Sequence, residues 1–547
     1  MIERFPDEAA AREALFDAVR YPPEAEEAFV RAGLWADDTL SRWLARAVAE
    51  HGGRPALVAA DGVITYRALA ERVARVAQGL LQLGVGRGDV VAVQLPSTAE
   101  FLVLYLAIAR IGAVTTTIHM PYRAEEIRQL LAHGQAKLFV GTSHFKDRSP
   151  VADVVSLRDR LPRLGRIVAV GAEAPGSVNY RRLEAAEPID PDFPEPSPAD
   201  PFLLLFTSGT SASPKAVPLA YRVTLGNSRM VARELVFGSD DLILSAAPFT
   251  HLFGLYGIHL ALLRGGAMLL MPSFTPAELA AKIADFRPTV LLSAPAHMAN
   301  MAQSGLLDAT DLSSLRMVVS SGAPCPPELV DLMTARMRGD FVSQWGMTEL
   351  QAGSFTRPGD RIAAATSVGR ACPGVELRVT DAELHPCPPE TEGELQVRGS
   401  PVFRGYFRNE SANRLSFTAD GWFRTGDLAL IDAAGVLHIT GRTKNIINRG
   451  GVKYNPIEIE ALLLGHPAVG EVAIVAYPDA VLGEKACCFV VPRDGDEPSL
   501  KDLCQFLTAK GVSKQKLPER LEIIEEMPVT PTRKVIRSKL QERLKQV

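Results

Sequence analysis

Residues 90–118 read VVAVQLPSTAEFLVLYLAIARIGAVTTTI. The β-branched run Val90–Leu95 stops at a proline, a helical stretch Glu100–Ile111 follows Ser97, Gly112 ends it, and a second β-branched run covers Val114–Ile118. A strand, a crossover helix and a strand in immediate succession predict parallel pairing in an α/β sheet. The same alternation extends outward, with helix Tyr66–Leu83 closed by Gly84 on one side, and helix Glu125–Ala132 and strand Lys137–Val140 on the other. It resumes later as helix Pro276–Phe286 before strand Thr289–Leu292, and helix Pro326–Met337 before strand Phe341–Trp345. Between these blocks, residues 188–201 hold six prolines among acidic residues and suit neither a helix nor a central strand. From Cys372 to Phe403 short β segments broken by Gly and Pro predict a small β-barrel-like piece, and after Arg442 the chain reads as a separate α+β unit.

A chain of 547 residues with 47% hydrophobic content is too long for one compact unit, so two or more domains are expected. Net charge of −4 with scattered Lys and Arg offers no basic field, which excludes nucleic acid as an expected partner. Six cysteines form neither a disulfide framework nor a paired zinc pattern, and the expectation is reduced thiols and a cytoplasmic protein. The N-terminus lacks a secretory apolar core, and runs such as Phe101–Ala109 are cut short by charges, so no membrane segment is expected.

The apolar run Phe202–Phe206 leads into Thr207-Ser-Gly-Thr-Ser-Ala-Ser-Pro-Lys215, a hydroxyl-rich loop ending in an ammonium. Backbone N–H groups, several hydroxyls and one lysine suit a polyphosphate, and Gly209 permits close backbone approach. No Gly-Lys-Ser/Thr triplet closes the loop, so it is not a Walker loop. Alone, such a loop is more often a solvated turn than a nucleotide site. Four further segments follow in order: Ser321-Gly-Ala-Pro324, Gln344-Trp-Gly-Met-Thr-Glu349, Gly421-Trp-Phe-Arg-Thr-Gly-Asp427 and Gly441-Arg-Thr-Lys-Asn-Ile-Ile-Asn-Arg-Gly-Gly451. Pro528-Val-Thr-Pro-Thr-Arg-Lys534 lies near the end. Singly each has a plain reading, a core Trp, a turn Asp or a surface Lys.

Together these segments resemble the adenylate-forming superfamily, the acyl-CoA synthetases and their relatives, over nearly the whole chain. The resemblance implies an α/β protein with a large N-terminal AMP-binding domain of αβ-layered subdomains at 1–442 and a small mobile α+β domain at 443–547. ATP, Mg²⁺ and coenzyme A are its implied ligands. Thr207, Ser208, Gly209, Thr210, Ser211 and Lys215 would hold phosphates; Gly322, Ala323, Pro324, Gln344, Trp345, Gly346, Met347 and Thr348 would enclose adenine and the α-phosphate. Glu349 would hold Mg²⁺ through a hard oxygen. Asp427 would accept from the ribose diol, with Arg442 on the nucleotide, Lys444 at a hinge, and Gly450 and Gly451 beside the pantetheine arm. Lys534 would offset the repulsion between substrate carboxylate and phosphate. Thr348, Glu349, His251 and Lys534 are the implied catalytic residues.

Pro248-Phe-Thr-His251-Leu252-Phe253-Gly254 resembles the family's acyl-pocket segment, to which Gly322 and Met347 would add walls. It contains no aspartate of the kind amino-acid-activating members use for the α-ammonium, which favours a plain carboxylate. His251 itself reads equally as a partly buried structural histidine. Asn448-Arg-Gly-Gly and Leu482-Gly-Glu-Lys485 resemble cyclohexanecarboxylate-CoA ligases and dihydroxybenzoate-adenylating enzymes, implying a cyclic, aromatic or medium-size apolar acid. Two alternatives remain open, delivery of the acyl group to a carrier protein and a nucleotide-binding protein without chemistry. Oligomeric state, a homodimer included, is open as well. Ala212, Ala216 and Arg533 stand where the family usually has glycine, and Arg533 bears on the backbone beside Lys534.

Overall fold

The computed structural model describes residues 8–207, 214–449, 452–479, 482–493, 496–530 and 533–545. The chain forms two compact units, the first made of residues up to Ala365 with Gly369–Glu376 and Arg398–Gly421, the second of Thr366–Val368, Leu377–Val397 and the chain from Trp422 onward.

In the first unit the alternation becomes two mostly parallel sheets. One has seven strands in the order Val178–Asn179, Arg166–Val170, Leu138–Thr142, Val90–Gln94, Val114–Thr117, Pro201–Thr207 and Lys215–Ala220. The other has nine, in the order Arg370–Ala371, Ser354–Phe355, Asp340–Trp345, Met317–Ser321, Val290–Ser293, Leu242–Ser245, Ala267–Leu269, Pro55–Ala59 and Gly62–Thr65. Helix Ala99–Arg110 buries every residue from Phe101 to Ala109, so its apolar run is core rather than membrane. At 12 residues it is too short to cross a bilayer, and no helix among the described residues is long and apolar enough to do so.

Helix starts follow their capping residues. Thr65 Oγ1 accepts from the Ala68 N–H (3.3 Å) to begin Tyr66–Gln82, and Thr275 caps Pro276–Phe286 with its proline in the first turn. The helix expected over 326–337 spans only Pro327–Thr334. The chain must turn early there because Gly339 approaches the Arg316 carbonyl so closely that a Cβ would fall 1.7 Å from it. Residues 187–200 contain neither helix nor strand, as their prolines require.

The second unit contains a four-stranded sheet, Val375–Thr380, Gly393–Gly399, Phe423–Ile431 and Leu437–Arg442, and a five-stranded sheet centred on the long hairpin Val469–Asp479 and Gly483–Pro492. All six cysteines of the chain are free. Burial pushes the Cys487 thiol up to about 12, so it stays protonated and unreactive at neutral pH. The C-terminal helix Arg537–Lys545 is tied down by a bidentate ion pair, Arg537 Nη1 to Glu460 Oε1 at 2.6 Å and Nη2 to Oε2 at 2.7 Å. Glu460 also accepts the Ile474 N–H, and Arg537 also donates to the Ile474 carbonyl, each at 2.6 Å. Both charges are therefore satisfied, and removing one leaves the other buried and unpaired. Arg537→Met is expected to destabilise the second unit by about 3 kcal/mol, while the charge-preserving Arg537→Lys loses less. Chemical denaturation followed by a probe in that unit measures this, and equal losses would contradict the bidentate assignment.

Inside the first unit His259 is fully buried, with its Nε2 2.8 Å from the Tyr105 hydroxyl. Burial lowers its pKa from 6.5 to about 3, so the folded state holds a neutral ring that the unfolded state protonates below pH 6.5. The unfolded chain then binds the extra proton, and stability present at pH 7 is lost as pH falls from about 6.5 toward 3. The melting temperature of the first unit is expected to drop over this range, less steeply in His259→Gln. Identical slopes would reject His259 as a contributor.

Candidate active site

Strand register lines up the segments that the sequence singled out. Ser245 lies opposite Leu292, Ser293 opposite Ser320, and Ser321 opposite Gln344, all in parallel pairs. Their carboxyl ends form one row, from which segments 246–254, 294–298, 322–324 and 346–349 emerge. Val114–Thr117 runs parallel to Pro201–Thr207 in the other sheet and releases segment 118–122 and the hydroxyl-rich loop. The two edges are stitched together: Thr117 Oγ1 donates to the Thr250 carbonyl (2.6 Å), and the Phe249 N–H donates to Ser97 Oγ (3.0 Å). Ligands of open α/β sheets bind beyond the carboxyl ends of the strands. Here two such edges face one another.

A cavity at this junction is lined by Thr117, His119, Tyr122, His251, Leu252 and Thr348, among others. His251 is the N-cap of helix Leu252–Arg264, its Nδ1 accepting the Phe253 N–H at 3.2 Å. In the neutral ring the proton therefore sits on Nε2. Gly254 fits this turn because a Cβ would fall 2.1 Å from the Pro248 carbonyl oxygen. The His119 ring stacks on His251 at 6.3 Å, with Nδ1 2.9 Å from Thr250 Oγ1. Burial holds the His119 pKa down at about 4, so it is neutral at physiological pH. Among the described residues lining the cavity there is no carboxylate, lysine or arginine.

Lys215 opens the strand that pairs antiparallel with Pro201–Thr207, opposite Thr207 itself. Its ammonium lies 4.3 Å from the Tyr406 ring centroid, and the Tyr406 hydroxyl donates to Glu349 Oε1 at 2.8 Å. Glu349 is buried. Ala216 is fully buried in the core of this sheet, where its small side chain fits. Ser208, Gly209, Thr210, Ser211 and Ala212 lie outside the described residues. Trp345 is 7% exposed and packs its six-membered ring against Gly353, where a Cβ would fall 2.2 Å away. Gly346 is similarly constrained, since a Cβ there would fall 1.9 Å from the Gln351 carbonyl oxygen. Gly322 takes φ +98°, and it, Ala323 and Pro324 are exposed at the end of Met317–Ser321. Gln344 is buried, whereas Met347 and Thr348 are partly exposed.

The second unit carries the other candidates. Asp427 and Arg442 sit opposite each other on antiparallel strands, and Arg442 Nε donates to Asp427 Oδ1 at 2.5 Å. Asp427 is buried while the arginine is half exposed. Lys444 is exposed in the short turn Thr443–Asn445, and Gly450 and Gly451 lie outside the described residues. Lys534 is exposed, the Thr530 N–H donating to its carbonyl (2.7 Å) and its own N–H donating to Thr530 Oγ1 (3.0 Å). Arg533 keeps φ +63°, the left-handed conformation that the glycine usual in the family adopts freely.

Sequence reading missed Thr117, His119, Tyr122 and Tyr406. His119 and Tyr122 lie just past a strand end, a position that would have flagged them once the carboxyl edges were known. Tyr406 follows Gly405 with no local feature that links it to Glu349. Magnesium takes one or two carboxylates together with phosphate oxygens and retained waters. The buried carboxylate of Glu349, which shares Tyr406 with Lys215, fits an ion that arrives with a nucleotide. Among the described residues no group of three His, Cys, Asp or Glu side chains forms a protein-only metal site.

Residues 44–407 match the AMP-binding enzyme family, and residues 458–534 match the AMP-binding enzyme C-terminal domain. The chain is 32% identical to the medium-chain fatty-acid–CoA ligase of Escherichia coli, covering 93% of this chain and 91% of the relative. It is 31% identical to the 2,3-dihydroxybenzoate-AMP ligase of Bacillus subtilis, over 95% and 96% of the two chains. Among solved structures, the anthranilate CoA ligase AuaEII in complex with anthranoyl-AMP superposes with a TM-score of 0.85 at 25% identity, covering 93% of this chain and 97% of that one. The mixed α/β fold, the facing strand ends and these matches place the chain in the AMP-binding enzyme family, the adenylate-forming acid ligases.

Proposed function

We propose that this ligase activates a cyclic, aromatic or medium-size apolar carboxylic acid as its acyl-adenylate and transfers the acyl group to coenzyme A. The observation that carries the substrate class is the cavity beside His251 and Thr348, whose described lining holds no carboxylate, lysine or arginine and whose His119 is kept neutral. A second carboxylate or an ammonium on the acid would be buried there without a counter-charge, at a cost of several kcal/mol. The Leu, Phe and Tyr side chains around it favour a neutral ring or chain.

A carboxylate resists nucleophiles through resonance and charge, and joining it to AMP supplies a leaving group. In this reading the acid attacks the α-phosphate in line, releasing pyrophosphate toward Lys215 and the loop Thr207–Ser211. Thr348 and Lys534 offset the charge that develops, and Glu349 is the carboxylate that would hold Mg²⁺, which neutralises phosphate charge when bound. Gln344–Met347 and Gly322–Pro324 enclose adenine. Asp427 accepts from the ribose hydroxyls, and Arg442, its ion-pair partner, turns toward the nucleotide. His251–Gly254, Gly322 and Met347 shape the acyl site.

Residues 443–547 act as a mobile C-terminal domain that turns at Lys444, withdrawing Lys534 and bringing Gly450 and Gly451 to the pantetheine arm. The thiol then attacks the acyl carbon and AMP leaves. The similarity to a 2,3-dihydroxybenzoate-AMP ligase, whose name specifies adenylation and not CoA, favours one second reading, in which the acceptor is the phosphopantetheine thiol of a carrier protein.

ATP-dependent pyrophosphate release is expected with benzoate-type, alicyclic and medium-chain acids, and to be at least about a hundredfold weaker with dicarboxylates and amino acids, the ratio that an unpaired buried charge costing about 3 kcal/mol demands. Turnover of amino acids above apolar acids would refute the substrate class. Thioester formation with free CoA, against formation only with a carrier protein, decides the acceptor. Lys534→Ala is expected to lower acyl-adenylate formation by about a hundredfold or more while sparing transfer from supplied acyl-AMP to CoA. Equal loss of both half-reactions would remove Lys534 from the first step.

A further inference from the structure

Tyr406 stands between two groups to which the proposed function gives opposite tasks. Its hydroxyl donates to Glu349 Oε1 (2.8 Å), and its ring face carries the Lys215 ammonium 4.3 Å from the centroid. The side chain is 6% exposed and packs edge-on against Phe403, centroids 4.9 Å apart.

The backbone around it is fixed on several sides. The Tyr406 N–H donates to Asn413 Oδ1 (2.6 Å), while Asn413 Nδ2 returns a bond to the Tyr406 carbonyl (3.0 Å). Gly405, at φ +148°, lets Asn413 come this close, since a Cβ there would fall 3.0 Å from its amide oxygen. On either side, the Phe403 N–H donates to the Glu349 carbonyl and the Phe407 N–H to the Ala216 carbonyl, each at 2.8 Å. The segment that carries Tyr406 is thus bonded to the residue after Lys215 and to Glu349 itself. From the other flank the Tyr21 hydroxyl donates to the Val402 carbonyl, and Trp35 Nε1 donates to the Ser400 carbonyl at 3.1 Å.

A phenylalanine would fill the same core space and offer the same ring face to an ammonium. The hydroxyl is what a phenylalanine lacks, and it acts on Glu349. A buried carboxylate is costly unless donors satisfy it, and the Tyr406 hydroxyl on Oε1 restricts its rotamer. We propose that Tyr406 is a positioning residue: its hydroxyl aims the Glu349 carboxylate at the divalent cation of an incoming nucleotide, and its ring holds the Lys215 ammonium close by until phosphate oxygens draw it away. This rests on the nucleotide-binding reading of the site and assigns it a residue that touches neither nucleotide nor acid.

The test is ATP binding to the full-length protein, by calorimetry, in excess EDTA and in a Mg²⁺ titration. The variants are Tyr406→Phe, Glu349→Gln and the double substitution. Tyr406→Phe keeps the ring, so affinity in EDTA is expected to stay within about twofold of wild type, whereas the gain conferred by Mg²⁺ falls by about tenfold, the size of a hydrogen bond to a charged group. Because the effect passes through Glu349, Tyr406→Phe should have no further effect in the Glu349→Gln background. Equal weakening with and without Mg²⁺, or an undiminished effect in the double substitution, would mean a merely structural tyrosine and overturn the proposal. An unchanged Mg²⁺ gain would overturn it while leaving the nucleotide site intact. If the wild-type protein binds no ATP under either condition, the functional reading and this inference fall together.

Discussion

The site depends on one geometrical constraint, that two parallel sheets of the same unit meet at their carboxyl ends. Each parallel strand must release its chain at that edge, and the crossover helix returns it to the opposite one. Whatever stands just past a strand end is therefore delivered to the junction, and four neighbouring strands of the larger sheet deliver four successive segments there. The seam is held by hydroxyl side chains, Ser97, Thr117 and Thr250, in bonds to backbone or to a buried imidazole. Hydroxyls suit a seam that must close around ligands, because they satisfy backbone groups without bringing charge into the cavity.

Within that frame the electrostatics separate along the site. In the cavity beside His251 burial keeps His119 uncharged. Elsewhere in the same unit a lysine and a buried carboxylate share one tyrosine, the ammonium over its ring face and the carboxylate on its hydroxyl. The second unit repeats the theme at Asp427 and Arg442, where a buried carboxylate is met by an arginine that solvent also reaches.

Much of this was legible in the chain. The β-branched runs and helical stretches located strands and helices to within a residue or so at Val90–Gln94, Val114–Thr117 and Pro276–Phe286, because periodicity and caps are local. The segments at 207–215, 321–324 and 344–349 were legible because each sits at or just past a strand end, whereas Asp427 and Arg442 lie within strands. The end of the helix at Thr334 was not, since it is set by the approach of Gly339 to the Arg316 backbone in another strand connection. Nor were His119 and Tyr406, whose decisive bonds reach across 131 and 57 residues of sequence. Arg533 lies between these cases: the missing glycine drew attention to the backbone, yet only the observed φ of +63° reveals that an arginine adopts the same left-handed geometry.

His251 has a consequence for how this protein could diversify. Because its ring nitrogen closes the first turn of the helix Leu252–Arg264, any substitution at this position also edits a helix terminus. The replacements that keep the turn closed are side chains with a short-range acceptor, asparagine, aspartate, serine or threonine. Variation at position 251 is thus channelled into polar residues, while hydrophobic tailoring of the cavity is left to neighbours such as Tyr122 and Leu130, whose side chains terminate no helix.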